Sequence, residues 1–152
     1  VKSETVLVCD IETDGFKPTV IWCVGIIDLE TDEYTAYYGD DIPEGLLRLA
    51  DADRVVGHYF KGYDAPVIEK LTEGLVKLDP NKIDDTCEIS RALFPEMPDH
   101  KLETWGEVLG LPKGKFKDFS KFSNEMLVYL ERDVRLNALV YRTFLDEIAR
   151  LS

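Results

Sequence analysis

The sequence predicts an α/β domain built on a mixed sheet, three antiparallel strands plus two parallel ones, flanked by helices on both faces. Three observations carry this expectation. Three apolar, β-rich runs open the chain, residues 4–10, Val20–Leu29 and Tyr34–Tyr38, and a turn over Asp28–Glu33 joins the second to the third as a hairpin. Short apolar runs then alternate with helical patterns, the order that extends a sheet and covers it. The first run, Val6-Leu7-Val8-Cys9, is continuously apolar, as expected of a strand buried on both faces.

The elements follow in order. Pro43-Glu44-Gly45-Leu46-Leu47-Arg48-Leu49 opens a short helix with Pro in its first turn. Arg54-Val55-Val56-Gly57 reads as a short buried strand. Asp64 is placed to cap a helix over Ala65–Glu73, whose first turn tolerates Pro66. Lys82-Ile83-Asp84 is the last strand. A helix starts at Asp85-Thr86 and ends at Phe94, where Pro95 stops it, and another spans Leu102–Leu109, closed by Gly110 and Pro112. Lys113–Lys121 is a basic loop with four lysines. Ser123 caps a long final helix to about Arg150, with an expected apolar stripe of Leu127, Leu130, Val134, Tyr141, Leu145 and Ile148.

The 152 residues suit one domain, 1–152, with a real core. No run of eighteen apolar residues exists, so no membrane partner is expected, and the start Val1-Lys2-Ser3-Glu4 carries no signal-peptide pattern, which points to the cytoplasm. Cys9, Cys23 and Cys87 are an odd set without CxxC spacing, so they read as small buried apolar residues, not a disulfide or zinc framework. A monomer is expected. The net charge of −12 counts against a broad phosphate-tracking surface. It leaves room for an enzyme that meets an anionic substrate through bound cations and a few local ones.

The functional signal begins at Asp10-Ile11-Glu12-Thr13. Strand side chains alternate, so Asp10 and Glu12 share a face while Ile11 turns to the core. Two adjacent acids at the end of a buried strand repel each other and lose solvation, and a divalent cation is the usual remedy. Two further carboxylates stand at element boundaries or faces. Asp64 ends Gly57-His58-Tyr59-Phe60-Lys61-Gly62-Tyr63-Asp64, between a strand and a helix. Tyr129 and Asp133 are four apart in the final helix and so share a face beside Leu130 and Val134. Each of these, taken alone, also reads as a turn, a cap or a solvated helix face.

Together, Asp10-x-Glu12, Tyr63-Asp64-Ala65-Pro66 and Tyr129-x-x-x-Asp133 resemble the DEDD 3′–5′ exonucleases, in the subgroup with a motif tyrosine. The similarity is greatest to the proofreading domain of phage-type family A DNA polymerases. There His100-Lys101-Leu102-Glu103-Thr104-Trp105-Gly106, Gly114-Lys115-Phe116-Lys117-Asp118-Phe119 and Asn124-Glu125-Met126 are similar as well. One departure stands out: many members carry an Asn four or five residues before the second-motif Asp, and in this chain those places hold Phe60 and Tyr59.

The resemblance implies a ribonuclease H-like fold and two divalent ions, Mg2+ or Mn2+, about 4 Å apart, a hard-oxygen choice consistent with an all-carboxylate donor set. It implies that Asp10, Glu12 and Asp133 hold one ion, that Asp10 and Asp64 reach the other, and that Tyr129 orients the attacking water. The substrate implied is single-stranded DNA or a frayed 3′ end, released as 5′-mononucleotides. An exoribonuclease with the same site, and a catalytically weak binding module, stay open. Thr13, Phe16, His100 and Lys115 are the candidate substrate contacts. Phe16 either stacks on the terminal base or covers the core; Lys113, Lys115, Lys117 and Lys121 either guide the strand or are merely solvated; His58 reads as packed and Trp105 as core. A replication or polymerase partner fits the same resemblance, which also allows a phage origin and so the host cytoplasm.

Overall fold

A computed structural model describes residues 3–152. Val1 and Lys2, part of the start read above for a signal-peptide pattern, lie outside the described residues. Five strands form one sheet: β1 Val6–Thr13, β2 Ile21–Asp28, β3 Tyr34–Tyr38, β4 Arg54–Gly57 and β5 Ile83–Asp85, in the order β3-β2-β1-β4-β5. β1–β2 and β2–β3 are antiparallel; β1–β4 and β4–β5 are parallel. The expected mixed sheet is therefore present. β1 runs three residues beyond its expected end, because the ladder to β2 continues through Asp10↔Gly25 and Glu12↔Cys23 to Thr13.

The pleat of β1 sorts its residues between two cores. Leu7, Cys9 and Ile11 face a cluster with Leu46 and Leu49 of helix α1, Ile42–Asp51, and with Val67 and Ile68 of helix α2, Asp64–Leu71. Val8 faces the opposite cluster, with Met126, Leu130 and Val134 of helix α5, Asn124–Leu151. Asp10 and Glu12 continue the Val8 side, toward α5. Helices α3, Thr86–Leu93, and α4, Leu102–Leu109, complete a third cluster with α5 around Trp105, Leu136, Val140 and Phe144. Trp105 is core, as expected, and all three cysteines are free and buried.

Close approach of α5 to the sheet requires Gly25. A Cβ there would lie 2.9 Å from Leu130 and 3.1 Å from Val134, inside normal contact. Because Gly25 pairs with Asp10, the same gap brings α5 down beside the first motif.

Two expectations for the helices are corrected. Ser123 does cap α5, accepting a hydrogen bond from Met126 N–H at 3.2 Å. The buried face, however, runs through Met126, Leu130, Val134, Ala138, Tyr141 and Phe144, whereas Leu145 and Ile148 are 41% and 42% exposed. Apolar spacing extends along the helix past the point where there is core to cover. Asp64, expected as an N-cap, is instead the first helical residue of α2 and makes no capping bond; its carboxylate turns to β1.

Candidate active site

The parallel partner β4 pairs with β1 only over Val6–Val8. Beyond it the edge of β1 is open, and Asp64 covers it: Asp64 Oδ2 accepts a hydrogen bond from Ile11 N–H at 3.3 Å. The segment leading to Asp64 is held by Asp85, whose carboxylate accepts from Tyr59 N–H at 2.9 Å and Lys61 N–H at 3.1 Å while also capping α3 at Cys87 N–H. Phe60 is fully buried beneath Gly57, and Tyr59 adopts a left-handed φ of 53° with its ring over Gly62. That is a strained conformation for an aromatic residue and one that Asn tolerates more readily. Asp85, outside every sequence motif noted above, therefore anchors the loop around the Asn-to-Tyr departure.

The four motif carboxylates meet in one cavity of about 370 Å3, whose wall includes Asp10, Glu12, Asp64, Tyr129 and Asp133. Ligand-capable oxygens of Asp10, Glu12 and Asp133 lie within 4.8 Å of one another. Asp10 also stands beside Asp64: the Ile11 N–H is shared between Asp10 Oδ1 at 3.0 Å and Asp64 Oδ2 at 3.3 Å. Asp10 is thus common to two adjacent sets of acids. Burial, together with the charges of its neighbours, pushes Asp10 up to about 7 and Glu12 up to about 9. Burial also raises Asp133, to about 6, against the pull of Lys113, and holds Asp64 well above the usual carboxylate range.

One cation already sits in this cavity. Lys113 Nζ is 3.4 Å from Asp133 Oδ2, donates a hydrogen bond to the Tyr129 hydroxyl, and stands 4.7 Å from the centroid of the Tyr129 ring. Phe116 and Phe119 pack on the same ring at 5.6 Å and 6.1 Å between centroids. Trp22 Nε1 pins the loop by donating to the Phe119 carbonyl at 2.9 Å. The basic loop is therefore folded over Tyr129, and its aromatic residues decide which lysine turns inward. Lys115, the loop lysine expected to touch substrate, is exposed, whereas Lys113 lines the carboxylate cavity.

The other candidate contacts divide. Phe16 is fully exposed and lines both the carboxylate cavity and an adjoining apolar one of about 440 Å3, with Tyr59, Tyr63 and Phe119. It does not cover the core. Thr13 is buried, its hydroxyl 2.6 Å from that of Tyr63, which donates to the Gly15 carbonyl at 2.8 Å; this tie shapes the Phe16 loop. His58 is packed against Thr86, Nδ1 to Oγ1 2.9 Å, and burial lowers its pKa. His100 lies in a neighbouring groove.

Two site residues escaped the motif reading. Lys113 could not be singled out among four loop lysines. Asn137 could: it lies four residues after Asp133 on the same face of α5, lines the cavity, and accepts a hydrogen bond from Thr86 at 2.8 Å.

The donor set fits hard divalent cations. Every motif ligand is a carboxylate oxygen, and Asp133 Oδ1 is buried without a hydrogen-bond partner, an orphan that a cation would satisfy. Asp10, Glu12, Asp64 and Asp133 are the residues that would hold such ions.

Comparison with known proteins agrees with this architecture. The family model described as the RNase H superfamily matches residues 7–102. The DNA-directed DNA polymerase of Escherichia phage T7 is 25% identical over 187 aligned positions, covering 93% of this chain and 27% of the polymerase, so the chain spans about a quarter of that relative. Among solved structures, Brucella melitensis NrnC with bound Mg2+ superposes with a TM-score of 0.73 at 17% identity, covering 97% of this chain and 75% of that one. NrnC bound to pGG gives 0.75 at 18% identity, covering 97% and 74%. At these identities the structural likeness speaks for the fold.

Proposed function

We propose that this chain, which belongs to the RNase H superfamily, is a metal-dependent 3′–5′ exonuclease of the DEDD type with a motif tyrosine. It hydrolyses single-stranded DNA, or a frayed 3′ end, to 5′-mononucleotides. The observation that carries this reading is the convergence of Asp10 and Glu12 from β1, Asp64 from α2 and Asp133 from α5 in one cavity roofed by Tyr129. An acidic α/β domain has no structural need for four carboxylates, three of them under 8% exposed, to share a pocket.

Two divalent ions at such a site supply an activated water and hold charge on the leaving oxygen. The protein's own residues do the rest. Asp10, Glu12, Asp64 and Asp133 would hold the ions as carboxylates. Tyr129 stays a phenol, because burial raises its pKa above the ordinary value; it therefore orients the attacking water by a hydrogen bond and does not take its proton. Phe116 and Phe119 hold the ring, and Lys113 fixes the hydroxyl. Phe16, exposed at the rim, stacks on the base of the terminal nucleotide.

A single strand labelled at one end or the other tests this reading. With Mg2+ or Mn2+, wild type releases label at once from a 3′-labelled strand and only late from a 5′-labelled one, and Asp133→Asn releases none. Absence of mononucleotide from wild type overturns it. The second reading is an exoribonuclease with the same site, and the NrnC structure bound to pGG shares the fold. The carboxylates do not distinguish the sugars, so matched DNA and RNA oligonucleotides run side by side separate the two.

A further inference from the structure

The wall of the carboxylate cavity holds one polar side chain to which no step above gives a part. Tyr129, Asp133 and Asn137 follow one another at four-residue steps along α5, and all three line the cavity. Asn137 is 3% exposed. A buried amide is expected to use both its ends. Here Oδ1 accepts a hydrogen bond from Thr86 Oγ1 at 2.8 Å, whereas Nδ2 donates to nothing among the described residues. The cavity's other donors are engaged: Lys113 by Asp133 and Tyr129, and Tyr63 by the Gly15 carbonyl.

The setting of the amide follows from its neighbours. Thr86 is fully buried at the start of α3. Its single hydroxyl proton has two oxygen acceptors in reach, Asn137 Oδ1 at 2.8 Å and the Gly57 carbonyl at 3.3 Å, and the nearer one takes it. His58 Nδ1, 2.9 Å from the same hydroxyl, then donates to it. A directed chain runs from His58 through Thr86 to Asn137 Oδ1 and leaves the Nδ2 hydrogens facing the opening. The reverse setting would turn a carbonyl oxygen toward a cavity already lined by four carboxylates, lone pairs against lone pairs.

We infer that Asn137 is a substrate contact: its Nδ2 donates a hydrogen bond to a non-bridging oxygen of the scissile phosphate, and Thr86 and His58 are the positioning residues behind it. The identity of this ligand rests on the nuclease reading. Phe16 at the rim is apolar and exposed and suits a base, whereas Asn137 stands on α5 one turn from Asp133, buried among the acids. The part of a strand that must come to the carboxylates is the phosphate, whose oxygens accept and cannot donate. A neutral amide serves them there without competing for Asp133, as the Lys113 ammonium does. Tyr129 and Asn137 flank Asp133 along the helix, so the phosphorus is held from one side while the attacking water is oriented from the other.

The test pairs one atom of the substrate with one atom of the protein. Strands carrying sulfur in place of either non-bridging oxygen of the 3′-terminal linkage are digested beside the all-oxygen strand. Sulfur accepts a hydrogen bond weakly, so wild type is slowed about tenfold at the position Asn137 reaches. In Asn137→Ala, kcat/KM for the all-oxygen strand falls roughly 10- to 100-fold, the loss of one charge-assisted hydrogen bond. The oxygen-to-sulfur ratio at that position falls close to one, and the ratio at the other position is unchanged. Each ratio is taken within one protein, so a smaller folded fraction does not alter it. Thr86→Val frees the amide and gives part of the same loss, and Thr86→Ser restores activity. Identical ratios in wild type and Asn137→Ala overturn the contact. A second readout needs no turnover. The Asn137 side-chain NH2 signal, identified by its absence in Asn137→Asp, is followed by NMR in EDTA as thymidine, thymidine 5′-monophosphate or an eight-nucleotide strand is added. A downfield shift with the strand and the monophosphate, but not with thymidine, supports the contact even if nothing is hydrolysed, which would sink only the nuclease reading. Hydrolysis with unchanged ratios and no shift sinks the contact alone. A shift with the monophosphate only, at unchanged ratios, assigns Asn137 to released product and overturns its place on the substrate.

Discussion

Lys113 Nζ lies 3.4 Å from Asp133 Oδ2 and is hydrogen-bonded to Tyr129, so a lysine ammonium balances part of the charge that metal ions would balance. The two kinds of cation compete for the same carboxylate. In Lys113→Met this competition ends, and Mn2+ binds several-fold more tightly in calorimetry. Turnover falls nevertheless, because Tyr129 loses the group that fixes its hydroxyl. Equal or weaker Mn2+ binding by the variant would contradict the competition.

Metal-free stability depends on pH with an unusual sign. Burial raises Asp10 to about 7, Glu12 to about 9 and Asp133 to about 6, above the ordinary carboxylate values near 4. The folded chain therefore keeps protons that the unfolded chain has released. Stability is full below about pH 4 as far as these groups decide it, and falls as pH rises toward 9, by about 1.4 kcal/mol per pH unit for each proton held. Divalent ions bind the deprotonated acids and offset the loss. Thermal melts between pH 5 and 9 should fall steadily in EDTA and flatten in Mg2+. Parallel curves under both conditions would refute this.

Asp133→Asn keeps the size of a 3%-exposed side chain and removes its charge. The fold survives, since Lys113 remains half-buried beside the amide. Turnover falls by more than about 100-fold, the upper range for losing even an outer-shell partner of a metal. The check is kcat together with a circular dichroism melt; a variant within tenfold of wild type would remove Asp133 from the metal set.

Tyr129→Phe retains the packing on Phe116 and Phe119 and deletes only the hydroxyl. An orienting role predicts kcat lower by about 10–100-fold, an outer-shell-sized effect, with Mn2+ affinity nearly unchanged. A fall in Mn2+ affinity matching the fall in kcat would recast Tyr129 as part of the metal-binding set.

Phe16→Ala removes a ring with no core contacts to lose, so the melting temperature stays close to wild type. Loss of base stacking, about 1–3 kcal/mol, corresponds to roughly 5- to 150-fold in KM for a single strand. An unchanged KM would leave Phe16 without a part in binding.

What the chain alone determined is local. Alternation along β1 places Asp10 and Glu12 on one face with Ile11 in the core, and the four-residue repeat of a helix stacks Tyr129 over Asp133 and, in hindsight, Asn137. Both are short-range consequences of backbone geometry. The helix from Leu102 to Leu109 and the Ser123 cap were legible for the same reason. Only the tertiary structure decided that Asp64 leaves its cap position for the free edge of β1, because β4 stops pairing at Val8 and an unpaired strand N–H needs an acceptor. It also decided that Lys113 and not Lys115 turns inward, since aromatic packing on Tyr129 orients the loop, and that the buried face of α5 ends at Phe144. Distances between residues far apart in sequence arise from packing, and no local pattern contains them.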